Sequence, residues 1–213
     1  WMESHVGKFD CSLINRSEDF SLLALQGPRS YEILKKLELG FEVNDMDYYS
    51  IQTGTENTLI ARTGYTGEDG FEIFANHQQI KSVWEQLIKL GVTPCGLGSR
   101  DVLRLEVCYP LYGQELNDQL TPLDTGLKWT VKFDKKSFIG KEFLMEYNAK
   151  YRTLKLALDK GIPRAGYLVE NNDGQKVGEI TSGTMSVILS KGIALARVEK
   201  SLYNNEENLT VDI

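Results

Sequence analysis

Histidine is nearly absent from this chain, with only His5 and His77 in 213 residues, and cysteine is limited to Cys11, Cys95 and Cys108. No His pairs with a Cys at ligand spacing and no His-x-x-x-His occurs, so no metal site is expected. Three widely spaced cysteines in apolar stretches predict buried, reduced thiols in a reducing, cytoplasmic-type compartment, not a disulfide framework. A Cys–His nucleophile pair finds no support either, because His77 reads as a helix-start residue. Long apolar runs are missing: each is broken by Lys, Asp or Gly, so no segment reaches bilayer-spanning length. Basic charge is also short. The chain has 24 Lys plus Arg against 30 Asp plus Glu, a net charge of -6. No Lys/Arg stripe with interleaved aromatics offsets that, which argues against a nucleic-acid surface. There is no solenoid repeat, no low-complexity tract and no initiator Met. A start at Trp1 without a leader leads us to expect a stretch of a longer polypeptide, with any targeting signal or upstream site residue outside it.

What is present fits an ordinary globular protein: 41% hydrophobic, 10% aromatic and 25% charged residues, enough for one large domain or two modest ones. Phe20 to Leu25 reads as a buried strand, followed by punctuation at Gln26-Gly27-Pro28. Tyr31, Ile33, Leu34 and Leu37 form a partial helix face that Gly40 closes. Weak strands are expected at Asp47 to Gln52 and Thr58 to Ala61, and a stronger one from Phe71 to Ala75. The clearest helix covers Gln78 to Leu90, with Ile80, Val83, Trp84, Leu87 and Ile88 on one stripe and Gly91 at C′. Ser99 is expected to cap a helix over Arg100 to Val107. Gln114 to Thr125 reads as a long polar loop, Leu127 to Phe133 as a strand and Ile139 to Asn148 as a helix. Beyond Lys150 short strands dominate: Leu154 to Leu158, Gly166 to Glu170, Lys176 to Ser182, Gly192 to Val198 and Asn208 to Ile213. Asn172-Asp173-Gly174 is a strong hairpin turn, and Gly183, Asn204 and Asn205 punctuate others. The expected fold is α+β, with an antiparallel-sheet region over 1–150 and a small C-terminal β-barrel over 151–213.

The densest chemistry lies in Arg62-Thr63-Gly64-Tyr65-Thr66-Gly67-Glu68-Asp69-Gly70-Phe71-Glu72-Ile73. Its glycines permit positive φ and close approach of another group. Plain turn architecture and a mount for functional side chains both remain open. It is not a Walker loop, lacks the dinucleotide Gly-x-Gly-x-x-Gly spacing, and carries acids that would repel a pyrophosphate. Arg100 and Arg104 project from one side of a helix that Val102, Leu103, Leu105 and Val107 lead us to expect to be mostly buried. A buried arginine there needs a partner. Asp101, Glu106 or Glu72 would serve internally, or a ligand would meet the planar fork. Tyr109 and Tyr112, beside Pro110 and Gly113, form an aromatic ledge that suits either a flat heterocycle or ordinary packing.

Taken in order, six segments resemble the T protein of the glycine cleavage system. They are Leu23-Ala24-Leu25-Gln26-Gly27-Pro28, Arg62 through Glu72, Arg100-Asp101-x-x-Arg104-Leu105-Glu106, Tyr112-Gly113-Gln114-Glu115, Phe138-Ile139-Gly140-Lys141 and Val177-Gly178-x-Ile180-Thr181-Ser182-Gly183. The resemblance implies a tetrahydrofolate-dependent aminomethyltransferase of glycine catabolism. Such an enzyme takes the one-carbon unit from the aminomethyl-lipoyl H protein, forms 5,10-methylenetetrahydrofolate and releases ammonia. It implies two α+β domains and a C-terminal barrel around a folate channel, with no metal. By position, Glu72 and Arg100 match the family's folate-contacting acid and arginine, and Tyr65 and Tyr109 match aromatics lining the channel. The family's catalytic acid falls upstream of Trp1 and its C-terminal tyrosine beyond Ile213. Residues 1–213 alone are therefore expected to bind folate weakly and not to turn over. The implied location is the cytoplasm, or the mitochondrial matrix in a eukaryote.

Two alternatives carry the same fold. One is the folate domain of a sarcosine- or dimethylglycine-dehydrogenase-like enzyme, which has a flavin domain upstream. The other is a non-enzymatic folate-binding protein with a Lys-Gly-Cys-Tyr-like motif, which Val107-Cys108-Tyr109 matches only in part. The intact Gly64 to Glu72 segment fits the transferase better.

Overall fold

A computed structural model describes residues 1–39, 42–43, 45–54, 57–203 and 208–213. They form two compact units, Trp1–Cys95 and Gly96–Ile213. The expected Gly40 terminator and the turn asparagines Asn204 and Asn205 lie outside the described residues.

The first unit contains α1 (Glu3–Val6), β1 (Ser21–Gln26), α2 (Ser30–Leu34), β2 (Ile51–Thr53), β3 (Leu59–Ala61), β4 (Gly70–Ala75) and α3 (His77–Lys89). Its strands form one antiparallel sheet in the order β1-β4-β3-β2. Period-two alternation explains the sheet's two faces. Leu23 and Leu25 of β1 and Phe71 and Ile73 of β4 are buried together with Ile60 of β3. Ala24 and Glu72 are direct cross-strand partners on the other face. α3 covers the apolar face with Ile80, Val83 and Leu87. At roughly 25 cal/mol per Å2 of apolar surface removed from water, this shared burial is the main force holding helix to sheet.

α3 starts where the sequence places it. Asn76 is its N-cap, its side-chain oxygen accepting from Gln79 N at 2.9 Å. Gly91 follows at φ 77° while Val92 N donates to Leu87 O at 3.0 Å, a glycine-type C-terminus. The apolar stripe is narrower than expected, since Trp84 and Ile88 stay 46% and 44% exposed.

The second unit holds α4 (Leu97–Glu106), α5 (Lys141–Glu146), β5 (Tyr151–Leu158), β6 (Leu168–Glu170), β7 (Lys176–Ser186), β8 (Lys191–Glu199) and β9 (Thr210–Val211). The strands form an antiparallel sheet in the order β5-β8-β7-β6-β9, the barrel-type domain expected at this end. Val169, Val177, Ile180, Ala196 and Val198 make its core. The Asn172-Asp173-Gly174 turn forms, with Asn171 Oδ1 accepting from Asp173 N and Gln175 N at 3.1 and 2.9 Å.

Four expectations fail here. α4 begins at Leu97 after Gly96, so Ser99 lies inside the helix and caps nothing. Only Arg104 and Leu105 of α4 are buried, and Val107 is 39% exposed. Leu127 to Phe133 is no strand; Lys128–Thr130 forms a 3-10 turn instead. Its local backbone bonds, Thr130 N to Leu127 O and Val131 N to Lys128 O, satisfy groups that a strand would pair across a sheet. The cysteines are free as expected, but Cys11 and Cys95 are exposed and Cys108 is half-buried, because short apolar neighbours did not imply a core position.

The expected polar loop Gln114 to Thr125 hides two buried acids, Glu115 and Asp124. Asp124 Oδ2 accepts from Thr121 N at 3.0 Å, Thr121 Oγ1 at 2.7 Å and the Tyr147 hydroxyl at 3.0 Å. Its Oδ1 accepts from Lys150 N at 2.9 Å and Tyr151 N at 3.3 Å. Burial alone would raise this carboxyl's pKa, yet the bonds from Thr121, Tyr151 and Tyr147 together hold it below its ordinary value. One side chain thus ties the loop to the end of α5 and to the start of β5.

Candidate functional site

In the first unit the glycine-dense segment is the connection between β3 and β4, and both Tyr65 and Glu72 belong to that hairpin. Its base is an ion pair. Arg62 Nε and Nη2 donate to Asp69 Oδ1 and Oδ2 at 3.0 and 2.8 Å, a fork geometry. Both side chains are about four-fifths buried, at 21% and 19% exposure. Arg62 also donates to Met46 O at 2.5 Å and lies 4.2 Å from the Tyr48 ring centroid. These hydrogen bonds hold the Asp69 carboxyl below its ordinary pKa and raise that of Arg62. The loop acids are therefore not uniformly solvated charges: Asp69 is the clasp, while Glu68 is exposed.

The glycines have a second cause. Gln26, the last residue of β1, sends its amide into the turn, where Nε2 donates to Thr63 O at 3.2 Å and Phe71 O at 3.4 Å. Thr66 Oγ1 donates to Gln26 Oε1 at 3.4 Å. A Cβ on Gly64 would lie 2.7 Å from Gln26 Cδ, and one on Gly70 would lie 2.5 Å from it. Both fall under the 3.0 Å that real Cβ atoms keep. Gly67, at φ 78°, supplies the left-handed turn itself.

Glu72 follows on β4, half-buried, paired across the sheet with Ala24 on one side and Ala61 on the other. Small partners leave its long side chain room above the sheet. The Thr63 hydroxyl donates to Glu72 Oε2. That hydrogen bond fixes the side chain's direction. A carboxylate accepts N–H donors in pairs, the chemistry of an amidine-like or aminopyrimidine edge. Tyr65 is half-buried in the same turn.

In the second unit the two arginines of α4 separate sharply. Arg104 is 2% exposed and takes the internal role. Its Nε and Nη2 reach Asp101 Oδ1 at 2.8 and 2.7 Å, and Nη1 donates to Glu115 Oε2 at 3.2 Å. Arg100 is exposed on the same helix. The internal partners are Asp101 and Glu115. Of the other two candidates, Glu106 Oε1 instead accepts from Ser186 Oγ at 2.7 Å and Ile188 N at 3.1 Å, while Glu72 is held by Thr63. Tyr109 is half-buried just after α4.

Four contributors were not assigned from sequence: Gln26, Thr63, Glu115 and Asp124. Thr121-x-x-Asp124 does carry a readable signal, half of a reciprocal capping pattern in which the acid accepts from the threonine amide. Gln26 reads only as punctuation because its partners are distant in sequence. Among the described residues no group of three or more His, Cys, Asp or Glu is placed to hold a metal ion. Among them, too, no helix is long and apolar enough to cross a membrane.

Two family descriptions match this chain: the GCVT N-terminal domain over residues 1–135 and the glycine cleavage T-protein C-terminal barrel domain over residues 150–213. Relatives named aminomethyltransferase are similar along almost all of it. That of Staphylococcus saprophyticus is 38% identical over 222 residues, covering 100% of this chain and 61% of the relative. That of Halothermothrix orenii is 42% identical over 210 residues, covering 93% and 58%. The crystal structure of glycine cleavage system aminomethyltransferase T from Bartonella henselae superposes with a TM-score of 0.89 at 27% identity, covering 100% of this chain and 60% of that one. The chain thus spans about 60% of the length of the proteins it matches.

Proposed function

The chain belongs to the glycine cleavage T-protein family, and we propose on that basis that it forms the folate-reading part of an aminomethyltransferase. The activity is proposed for the whole polypeptide, because the chain spans only part of its relatives' length. In the reaction, the carbon held between lipoyl sulfur and nitrogen is passed to N5 and N10 of tetrahydrofolate. Bonds to sulfur and to the amino nitrogen break and two C–N bonds to folate form. The two folate N–H protons leave on the thiol and on ammonia. Tetrahydrofolate is the co-substrate, no metal is required, and the lipoyl-bearing H protein is the partner that delivers the carbon. Bacterial relatives support a cytoplasmic setting.

The observation that carries this reading is Glu72. It is a half-buried carboxylate on a regular strand, oriented by Thr63 and mounted beside a turn locked by Gln26 and the Arg62–Asp69 clasp. A carboxylate held this way suits the 2-amino and N3 edge of a pterin, which presents two N–H donors. Arg100 contributes an exposed guanidinium for folate oxygens. Tyr65 and Tyr109 supply planar faces with polar tips. The division at 150/151 into a folate-binding region and a barrel is part of the same proposal.

Titration calorimetry on the full polypeptide tests it. Glu72→Ala and Arg100→Ala should each weaken tetrahydrofolate binding by about 1–3 kcal/mol, the loss expected for a charge-assisted hydrogen bond. Unchanged affinity in both variants would sink the assignment. Residues 1–213 alone are expected to bind folate weakly and to release no ammonia from aminomethylated H protein.

A further inference from the structure

Arg104 holds Tyr109 by both polar groups of its backbone. Tyr109 N donates to Arg104 O at 2.8 Å, and Arg104 Nη1 donates back to Tyr109 O at 3.0 Å. Between them the chain turns at Cys108, a non-glycine residue at φ 60°, which a β-substituted residue adopts only when its surroundings fix it. The guanidinium is itself fixed on every side. Asp101 and Glu115 neutralise it, and Nη2 donates to Ser182 Oγ at 2.8 Å. Ser182 reaches it because β7 bulges between Ile180 and Ser182. The bulge breaks the alternation so that Ile180, Thr181 and Ser182 are all buried. Glu115 Oε2 accepts from Leu111 N at 2.8 Å as well as from Arg104, so it locates the far end of the same ledge.

We propose that Arg104 and Glu115 are positioning residues: buried and out of reach of ligand, they set the place of Tyr109 and thereby the fit of a flat heterocyclic ligand against its ring. The proposal rests on the folate reading above for the identity of that ligand. A buried ion pair replaced by apolar groups is often no less stable, so a cluster this polar is not explained by stability alone. What the fork provides is geometry. Five N–H donors in one plane fix several acceptors at once, and lysine cannot reproduce that.

The test uses the full polypeptide and variants R104K, E115A and E115Q, with thermal unfolding as a check on folding and tetrahydrofolate as the probe. Hydrogen exchange at the Tyr109 and Leu111 amides should quicken roughly tenfold in R104K and E115A, with β7 and β8 unchanged. E115Q keeps an oxygen for Leu111 N and Arg104 and should restore slow exchange. Folate affinity should fall about tenfold in R104K, and Y109A combined with R104K should be no weaker than Y109A alone. Exchange that stays slow in R104K and E115A, or E115Q as damaging as E115A, overturns the positioning role whatever folate does. Quickened exchange with unchanged affinity, or additive losses in the double variant, also overturns it. A wild-type chain that binds no tetrahydrofolate overturns instead the folate reading and the ligand part that depends on it; the exchange arm then judges the positioning of Tyr109 by itself.

Discussion

The amide of Gln26 occupies the space that a side chain on Gly64 would need. A Cβ there would come within 2.7 Å of Gln26 Cδ, and the amide is held in place by hydrogen bonds to Thr63 O, Phe71 O and the Thr66 hydroxyl. Gly64→Ala should therefore destabilise the protein by about 1 kcal/mol, because the Gln26 amide must swing aside and give up its hydrogen bonds. Gln26→Ala in the same chain should recover part of that loss, since it empties the space. Urea unfolding of the two single variants and the double variant measures the coupling; strictly additive effects would show that the two residues do not compete.

Acid should open the clasp. Asp69 has a folded-state pKa below its ordinary 3.8 because Arg62 hydrogen-bonds its charged form. The sign follows: the stability it contributes is complete above about pH 4 and is lost as pH falls through the lowered folded value. Asp69→Asn should lower the midpoint of thermal unfolding at pH 7, and the gap from wild type should narrow as pH falls below the ordinary carboxylate value. A gap that persists unchanged into acid would mean the carboxylate's charge is not what holds the turn.

Removing the Thr63 hydroxyl should leave the sheet intact while loosening Glu72. Thr63→Val keeps a β-branched side chain of nearly the same shape and deletes the donor to Glu72 Oε2. Tetrahydrofolate affinity should drop by about 1 kcal/mol, the scale of one net hydrogen bond. Thr63→Ser should retain most of the affinity, and calorimetry that ranks Val above Ser would contradict an orienting role for the hydroxyl.

Asp124→Ala should be among the most damaging substitutions in the second unit. It would leave the amides of Thr121, Lys150 and Tyr151 and the Tyr147 hydroxyl without their acceptor around a buried position. A loss of about 2–4 kcal/mol is expected, because the bonds are charge-assisted and the donors remain behind. Its folded carboxyl also titrates below its ordinary value, so the stabilisation should be present above about pH 4 and fade in stronger acid. Denaturant titrations at pH 7 and pH 3 give both figures.

Local pattern was legible in the sequence wherever one periodicity dominated. α3, with Gly91 at its end, and the short strands after Lys150 follow from spacing and turn residues alone. Leu127 to Phe133 misled because its apolar run is too short to separate a strand from a turn packed by its own backbone bonds. Glu72 stood out because it leaves a glycine-dense turn. Glu115 and Asp124 did not, since acids in a loop look alike until a fold decides which one is buried among donors. Arg100 and Arg104 were indistinguishable by spacing. Burial separated them, and burial depends on strand β7, whose contributing residue Ser182 lies far along the chain.

The Gln26 amide has a last consequence, in entropy. Because the Gln26 side chain at the end of β1 is bonded to both Thr63 and Phe71, the turn cannot come loose without giving up those bonds to its neighbouring strand. Ordering a loop residue costs on the order of 1–2 kcal/mol, and here that cost is met once, when the chain folds. Whatever meets Glu72 encounters a surface already frozen into shape, so its binding energy goes into recognition and not into ordering the protein.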